Sequence, residues 1–106
     1  MSAEPLATDV LTTIARAMVL AEEYPTVEDA LHGMALAQVR RKIAAYRRRI
    51  REFERKYSTD FEAFSSHLLG RATPSEEDDW LAWRSALSML EDWQKTLEKL
   101  SGQTRN

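Results

Sequence analysis

Residues 36–57 read LAQVRRKIAAYRRRIREFERKY. Within them Leu36, Val39, Ile43, Tyr46, Ile50, Phe53 and Tyr57 recur at alternating spacings of three and four. That is an a/d heptad stripe, a narrow apolar seam along one side of a helix that another helix must cover. The pattern predicts an all-α protein, and the flanking sequence says where the covering helices lie.

Upstream, Thr26 opens the long helix with Asp29 three residues on as a capping box, and only Gly33 interrupts 26–57. Roughly thirty residues at 1.5 Å each make a rod of about 45 Å. Gly33 lies one turn before the stripe, where a kink or a close crossing is expected rather than a break. Before it, a helix is predicted over 9–23, capped by Thr8 or Asp9, with Val10, Leu11, Ile14, Met18 and Ala21 on one face. Tyr24-Pro25 stops it, because proline disfavours the α conformation in the residue before it.

Downstream, Ser58-Thr59 resets the chain. Thr59 with Glu62 reads as a second capping box, Phe61, Phe64 and Leu68 form a short apolar face, and Gly70 suits a C′ position, giving a helix over 60–69. Arg71 to Pro74 is read as a linker. Ser75 then starts a helix over 76–100, striped by Trp80, Trp83, Leu87, Leu90, Leu97 and Leu100, with Gln94 its one polar member and Trp93 beside it. Ser101-Gly102 ends it. The expected fold is a long antiparallel hairpin, 26–57 against 76–100, with 60–69 turning the corner. The 9–23 helix covers the hairpin or extends from it, within one domain over 1–106 whose ends, 1–7 and 101–106, are flexible. So small a hairpin is marginal alone, so either four helices close compactly or a partner completes the core.

Composition narrows the class. A chain of 106 residues with 43% hydrophobic and 30% charged residues suits one globular domain and is too apolar for disorder. No cysteine is present, which removes disulfides and thiolate sites and fits a reducing compartment. No apolar run approaches the ~20 residues of a membrane span, and Met1 to Ala7 lack the features of a signal peptide, so a cytoplasmic protein is expected.

The net charge of −2 conceals segregation. Residues 1–39 carry six acids and one base, 40–56 nine bases and two acids, and 57–106 nine acids and five bases. The basic run is Arg40, Arg41, Lys42, Arg47, Arg48, Arg49, Arg51, Arg55 and Lys56, all off the a/d seam. Such a face suits nucleic-acid phosphates, with Arg40, Arg41, Arg47, Arg48, Arg49 and Arg51 as candidate contacts. The competing reading is a solvated face whose charges pair with acids on the antiparallel helix; the compensating acids and the lack of a reading motif favour it. Glu76, Glu77, Asp78 and Asp79 are read as complementing a helix dipole, since consecutive helical carboxylates diverge and cannot converge on a metal. His32 and His67 are too few and too far apart for a metal site. Ser65-Ser66-His67 is not a nucleophile arrangement, because helical neighbours point apart. No catalytic constellation appears, and neither enzyme activity nor a cofactor is expected.

Tryptophan is over-represented at binding hot spots. Trp80, Trp83 and Trp93, with Tyr46, Phe53 and Tyr57 of the seam, are therefore candidates to grip a partner. The alternative for Trp80 and Trp83 is packing against Tyr57, Phe61 and Phe64 at the hairpin corner, and Trp93 sits at the margin of its stripe.

FERKY (Phe53 to Tyr57), FEAF (Phe61 to Phe64) and EEDDWLAW (Glu76 to Trp83) occur in that order. The stretch from Tyr46 to Leu100 thereby resembles small bacterial and archaeal antitoxin components of toxin–antitoxin pairs, which join a phrase like FEKKYG to one like FEEF and then to an acidic patch and a tryptophan-containing helix. The resemblance implies a helical hairpin that embraces and neutralises a small toxin, and no catalytic residues. Residues 1–25 show no ribbon-helix-helix module of the kind relatives carry, so operator binding is not implied. Three readings follow: an antitoxin-like interaction protein, a nucleic-acid-binding helical protein using the 40–56 face, and a self-associating scaffold closed by a second copy.

Overall fold

A computed structural model describes residues 7–102. These form four helices and no strand: α1 Ala7–Leu20, α2 Val27–Tyr57, α3 Phe61–Leu68 and α4 Pro74–Gly102. The fold is an all-α hairpin in which α2 and α4 pack against each other. None of the described helices is long and apolar enough to cross a membrane. Ala7, Ser101 and Gly102, expected in flexible ends, are helical, and the rest of those expected ends falls outside the described residues.

The chain divides into two compact units, Met1–Gln38 and Val39–Asn106. The first holds α1 and the start of α2. α1 begins at Ala7, so Thr8 and Asp9 lie inside its first turn and do not cap it. It ends before Tyr24-Pro25 because a Schellman motif intervenes. Glu22 takes a left-handed φ of 61°, its N–H reaches the Val19 carbonyl at 3.0 Å, and the Glu23 N–H reaches Met18 at 2.9 Å. Thr26 caps α2 as expected, its Oγ1 accepting from the Asp29 N–H at 3.1 Å. The helix runs unbroken through Gly33. The missing side chain of Gly33 makes room for Tyr24, whose hydroxyl oxygen lies 2.1 Å from where a Cβ would stand. Among the described residues of this unit, the fully buried ones are two alanines, Ala15 and Ala30.

In the second unit the a/d seam holds. Val39, Ile43 and Ile50 are buried, and Tyr46, Phe53 and Tyr57 are half-buried. Tyr57 meets Asp79 and Phe53 meets Trp83, so α4 runs antiparallel to α2. Ile50, Phe64, Leu68, Trp83 and Ala86 form the core, with Tyr46, Trp80, Leu87 and Leu90 packed on it. Ser58 stops α2 with a φ of 54°, and the Thr59 N–H reaches back to the Glu54 carbonyl at 3.3 Å.

Two cap assignments shift by a residue or two. Asp60, not Thr59, caps α3, with Oδ1 accepting from the Ala63 N–H at 2.8 Å. Asp60 sits one position nearer the first turn and carries a full charge toward the helix dipole. Gly70 is left-handed, as expected, with a φ of 74°. α4 starts at Pro74 rather than after Ser75, because Thr73 and Glu76 close a reciprocal capping box: Glu76 N–H to Thr73 Oγ1 at 3.1 Å, and Thr73 N–H to Glu76 Oε1 at 2.9 Å. Pro74 then occupies the first helical position, where its missing N–H costs nothing.

Candidate interaction surfaces

Four surfaces follow from this packing. The first is the aromatic corner. Trp83 is wholly buried, stacked on Phe53 at 5.6 Å and an interplanar angle of 13°, with Tyr57 at 6.3 Å, Phe61 at 5.5 Å and Phe64 at 5.3 Å. Trp83 is therefore core and has no surface to offer a partner in this fold, a correction to its candidacy as a contact residue. Its indole N–H is buried without a hydrogen-bond partner. Trp80 lies 5.7 Å from Phe61 and donates from Nε1 to Ser65 Oγ at 2.7 Å, while Ser65 donates onward to the Phe61 carbonyl at 2.8 Å. The Ser65 hydroxyl thus ties α3 to α4. Trp80, Trp93, Tyr46, Phe53 and Tyr57 each keep part of their surface exposed.

Beside this corner the Asp79 carboxylate joins α4 to the end of α2. Lys56 Nζ lies 2.6 Å from Asp79 Oδ2, and the Tyr57 hydroxyl donates to the same oxygen. The Lys56 hydrogen bond, then that of Tyr57, holds the Asp79 carboxyl below its ordinary value. Burial first, and Asp79 second, push the Tyr57 phenol up. Glu76 is lowered chiefly by the Thr73 backbone N–H. The four-acid cluster is thus divided: Glu76 caps, Asp79 crosses to the other helix, and Glu77 and Asp78 face solvent.

The second surface is an apolar groove where α3 turns into α4, lined by Leu68, Leu69, Ala72, Trp80 and Leu81. Leu69 is 78% exposed and Leu81 57%. Sequence periodicity misses both, because neither falls on the stripe of its helix.

The third surface is α1. Its predicted apolar face is not the buried one: Ala15 is buried, whereas Val10, Leu11 and Ile14 remain 46%, 46% and 45% exposed. Val10, Leu11, Ile14, Met18 and Ala21 share one side of the helix, and Ala15 lies at its edge, beside Leu11 and Met18 and turned away from Val10 and Ile14. α1 therefore presents an amphipathic helix with its own stripe largely uncovered.

The fourth is the basic segment of α2. Arg40, Arg41, Arg47, Arg48, Arg49, Arg51, Arg55 and Lys56 are all exposed, and Lys42 is half-buried. Pairing with acids of the antiparallel helix is realised by Lys56. Arg49 instead lies over the Phe53 ring at 5.8 Å. Among the described residues Arg40, Arg47, Arg48, Arg51 and Arg55 make no ion pair.

Comparison of the chain with protein-family models, curated proteins and solved structures finds no match.

Proposed function

We propose that this protein is a non-enzymatic, antitoxin-like interaction module that binds and neutralises a small partner protein through its amphipathic helices. The observation that carries the reading is the exposed stripe of α1. Val10 and Leu11 stand four and three residues before Ile14, the i+4 and i+3 spacings of helix-in-groove recognition, and α1 buries an alanine instead. A contiguous apolar face on a small domain marks an interaction site or an aggregation liability. The groove beside Trp80, with Leu69 and Leu81 exposed at its edge, supports the same reading from the second unit.

The test is co-expression with the adjacent open reading frame and purification through a tag on this chain. A stoichiometric partner is expected to co-elute, and Leu11→Asp with Ile14→Asp to release it while helicity by circular dichroism is retained. Elution of this chain alone would overturn the proposal. A stable dimer by light scattering, dissociated by the same two substitutions, would assign the α1 face to a second copy.

A further inference from the structure

The uncommitted arginines of α2 form a surface of a different kind, and its argument is independent of the function proposed above. Arg40, Ala44, Arg47, Arg51 and Arg55 follow one another at spacings of four, three, four and four, so they make a single row along the helix. Arg48 lies beside that row. At 100° per residue the row is turned about 120° from the seam of Ile43, Ile50 and Phe53, which leaves it clear of α4. Its acids, Glu52 and Glu54, fall at its two margins. Five exposed guanidinium groups that make no ion pair among the described residues thus occupy about 22 Å of helix.

Arg47, Arg51 and Arg55 follow one another at about 6 Å of rise, inside the ~8 Å Debye length of physiological salt, and Arg40 lies about 10.5 Å of rise before Arg47. They repel one another in the isolated protein, and a polyanion relieves that repulsion. Three features choose the polyanion. All five groups are arginine, whose planar fork matches phosphate oxygens in bidentate fashion. Arg47, Arg51 and Arg55 recur every ~6 Å along the helix, so several guanidinium groups can meet phosphates of one duplex together. The neighbouring hollow on α2 is lined by Lys42, Tyr46, Arg48, Arg49 and Glu52, three bases against one acid, which extends the positive face.

We infer that the arginine row of α2 binds the phosphate backbone of double-stranded DNA without reading its sequence. The second clause follows from the target: contacts to phosphate oxygens position a protein on the duplex and carry no sequence information.

Fluorescence anisotropy with two labelled 24-base-pair duplexes of unrelated sequence tests this on the full chain. Both duplexes should bind with similar affinity at 50 mM salt, and log K should fall with log salt at a slope of about −4.5, as expected for five phosphates neutralised. Arg47→Glu, Arg48→Glu and Arg51→Glu together should abolish binding. Arg71→Glu, Lys95→Glu and Lys99→Glu change the net charge equally and should leave affinity within about threefold, since screening confines the effect to nearby charges. The salt slope of the unaltered protein needs no variant to fold. Absence of binding at 50 mM salt, equal losses in the two triple variants, or strong preference for one duplex would each overturn the inference. So would displacement by polyglutamate as readily as by unlabelled duplex, which would give the row to an acidic protein.

Discussion

The rings of Phe53 and Trp83 lie 5.6 Å apart and 13° from parallel, and this pair fixes the register of α2 against α4. Trp83 also touches Tyr57, Phe61 and Phe64, so one indole joins α2, α3 and α4. Trp83→Ala should cost about 3–5 kcal/mol, the range for truncating a buried aromatic. Trp83→Phe should be much milder, because it removes a buried N–H that has no partner while keeping most of the stacking. Urea denaturation followed by far-UV circular dichroism measures both, and equal losses would show that the orphan N–H does not matter.

Much of this arrangement can be read from residue order. The three–four alternation from Leu36 to Tyr57 identifies the seam because period alone decides which side of a helix is apolar. The corner follows, since Phe61, Phe64, Trp80 and Trp83 have one place to go once the hairpin is antiparallel. α1 shows why periodicity fails elsewhere. Val10, Leu11 and Ile14 form as regular a stripe as any, yet Ala15 is the buried residue. A stripe says which residues prefer burial, not whether a neighbour exists to bury them. The caps slipped for a local reason: Thr59 and Asp60, or Thr73 and Ser75, compete as acceptors within two residues, and backbone geometry chooses between them. Leu69 and Leu81 carried no periodic signal at all.

Gly33 gives a coupling prediction. Glycine within a helix costs about 0.5–1 kcal/mol relative to alanine. Here Gly33→Ala places a methyl within 2.1 Å of the Tyr24 hydroxyl oxygen, so the tyrosine must leave its position. Gly33→Ala alone should therefore be neutral or destabilising. In a Tyr24→Ala background the same substitution should stabilise by the helix-propensity difference. A double-mutant cycle in urea reads the coupling, and additive effects would show that the ring does not constrain position 33.

Glu22 and Ser58 hold left-handed backbone at φ values of 61° and 54°, each closing the end of a helix. That conformation is strained for residues with a Cβ and natural for glycine at C′. Glu22→Gly and Ser58→Gly should each stabilise by about 0.5–1 kcal/mol once the greater backbone freedom of glycine in the unfolded chain is subtracted. The pair should be additive, as the two positions terminate different helices. A fall in melting temperature for either variant would refute the assignment.

The Asp79 contact makes stability depend on pH at both extremes. The lowered pKa of Asp79 means that the fold favours its ionised form, chiefly through the Lys56 hydrogen bond. That contribution is present above the unfolded value of about 3.9 and is lost as pH falls through the folded one. Lys56 is raised, chiefly by its hydrogen bond to Asp79, and Tyr57 is raised, chiefly by burial. Their contributions are present below about 10 and are lost as pH rises through the folded values. Melting temperature should therefore be level between about pH 5 and 9 and fall beyond each end. Asp79→Asn removes the carboxylate. The gap between its melting curve and that of the unaltered protein should be widest near neutral pH and should close below pH 4. Tyr57→Phe should cost about 1 kcal/mol at neutral pH, the worth of one hydrogen bond, and should reduce the alkaline fall while leaving the ion pair between Lys56 and Asp79 in place. A gap for Asp79→Asn that stays constant from pH 7 to pH 2.5 would mean that the carboxylate is no more favoured folded than unfolded.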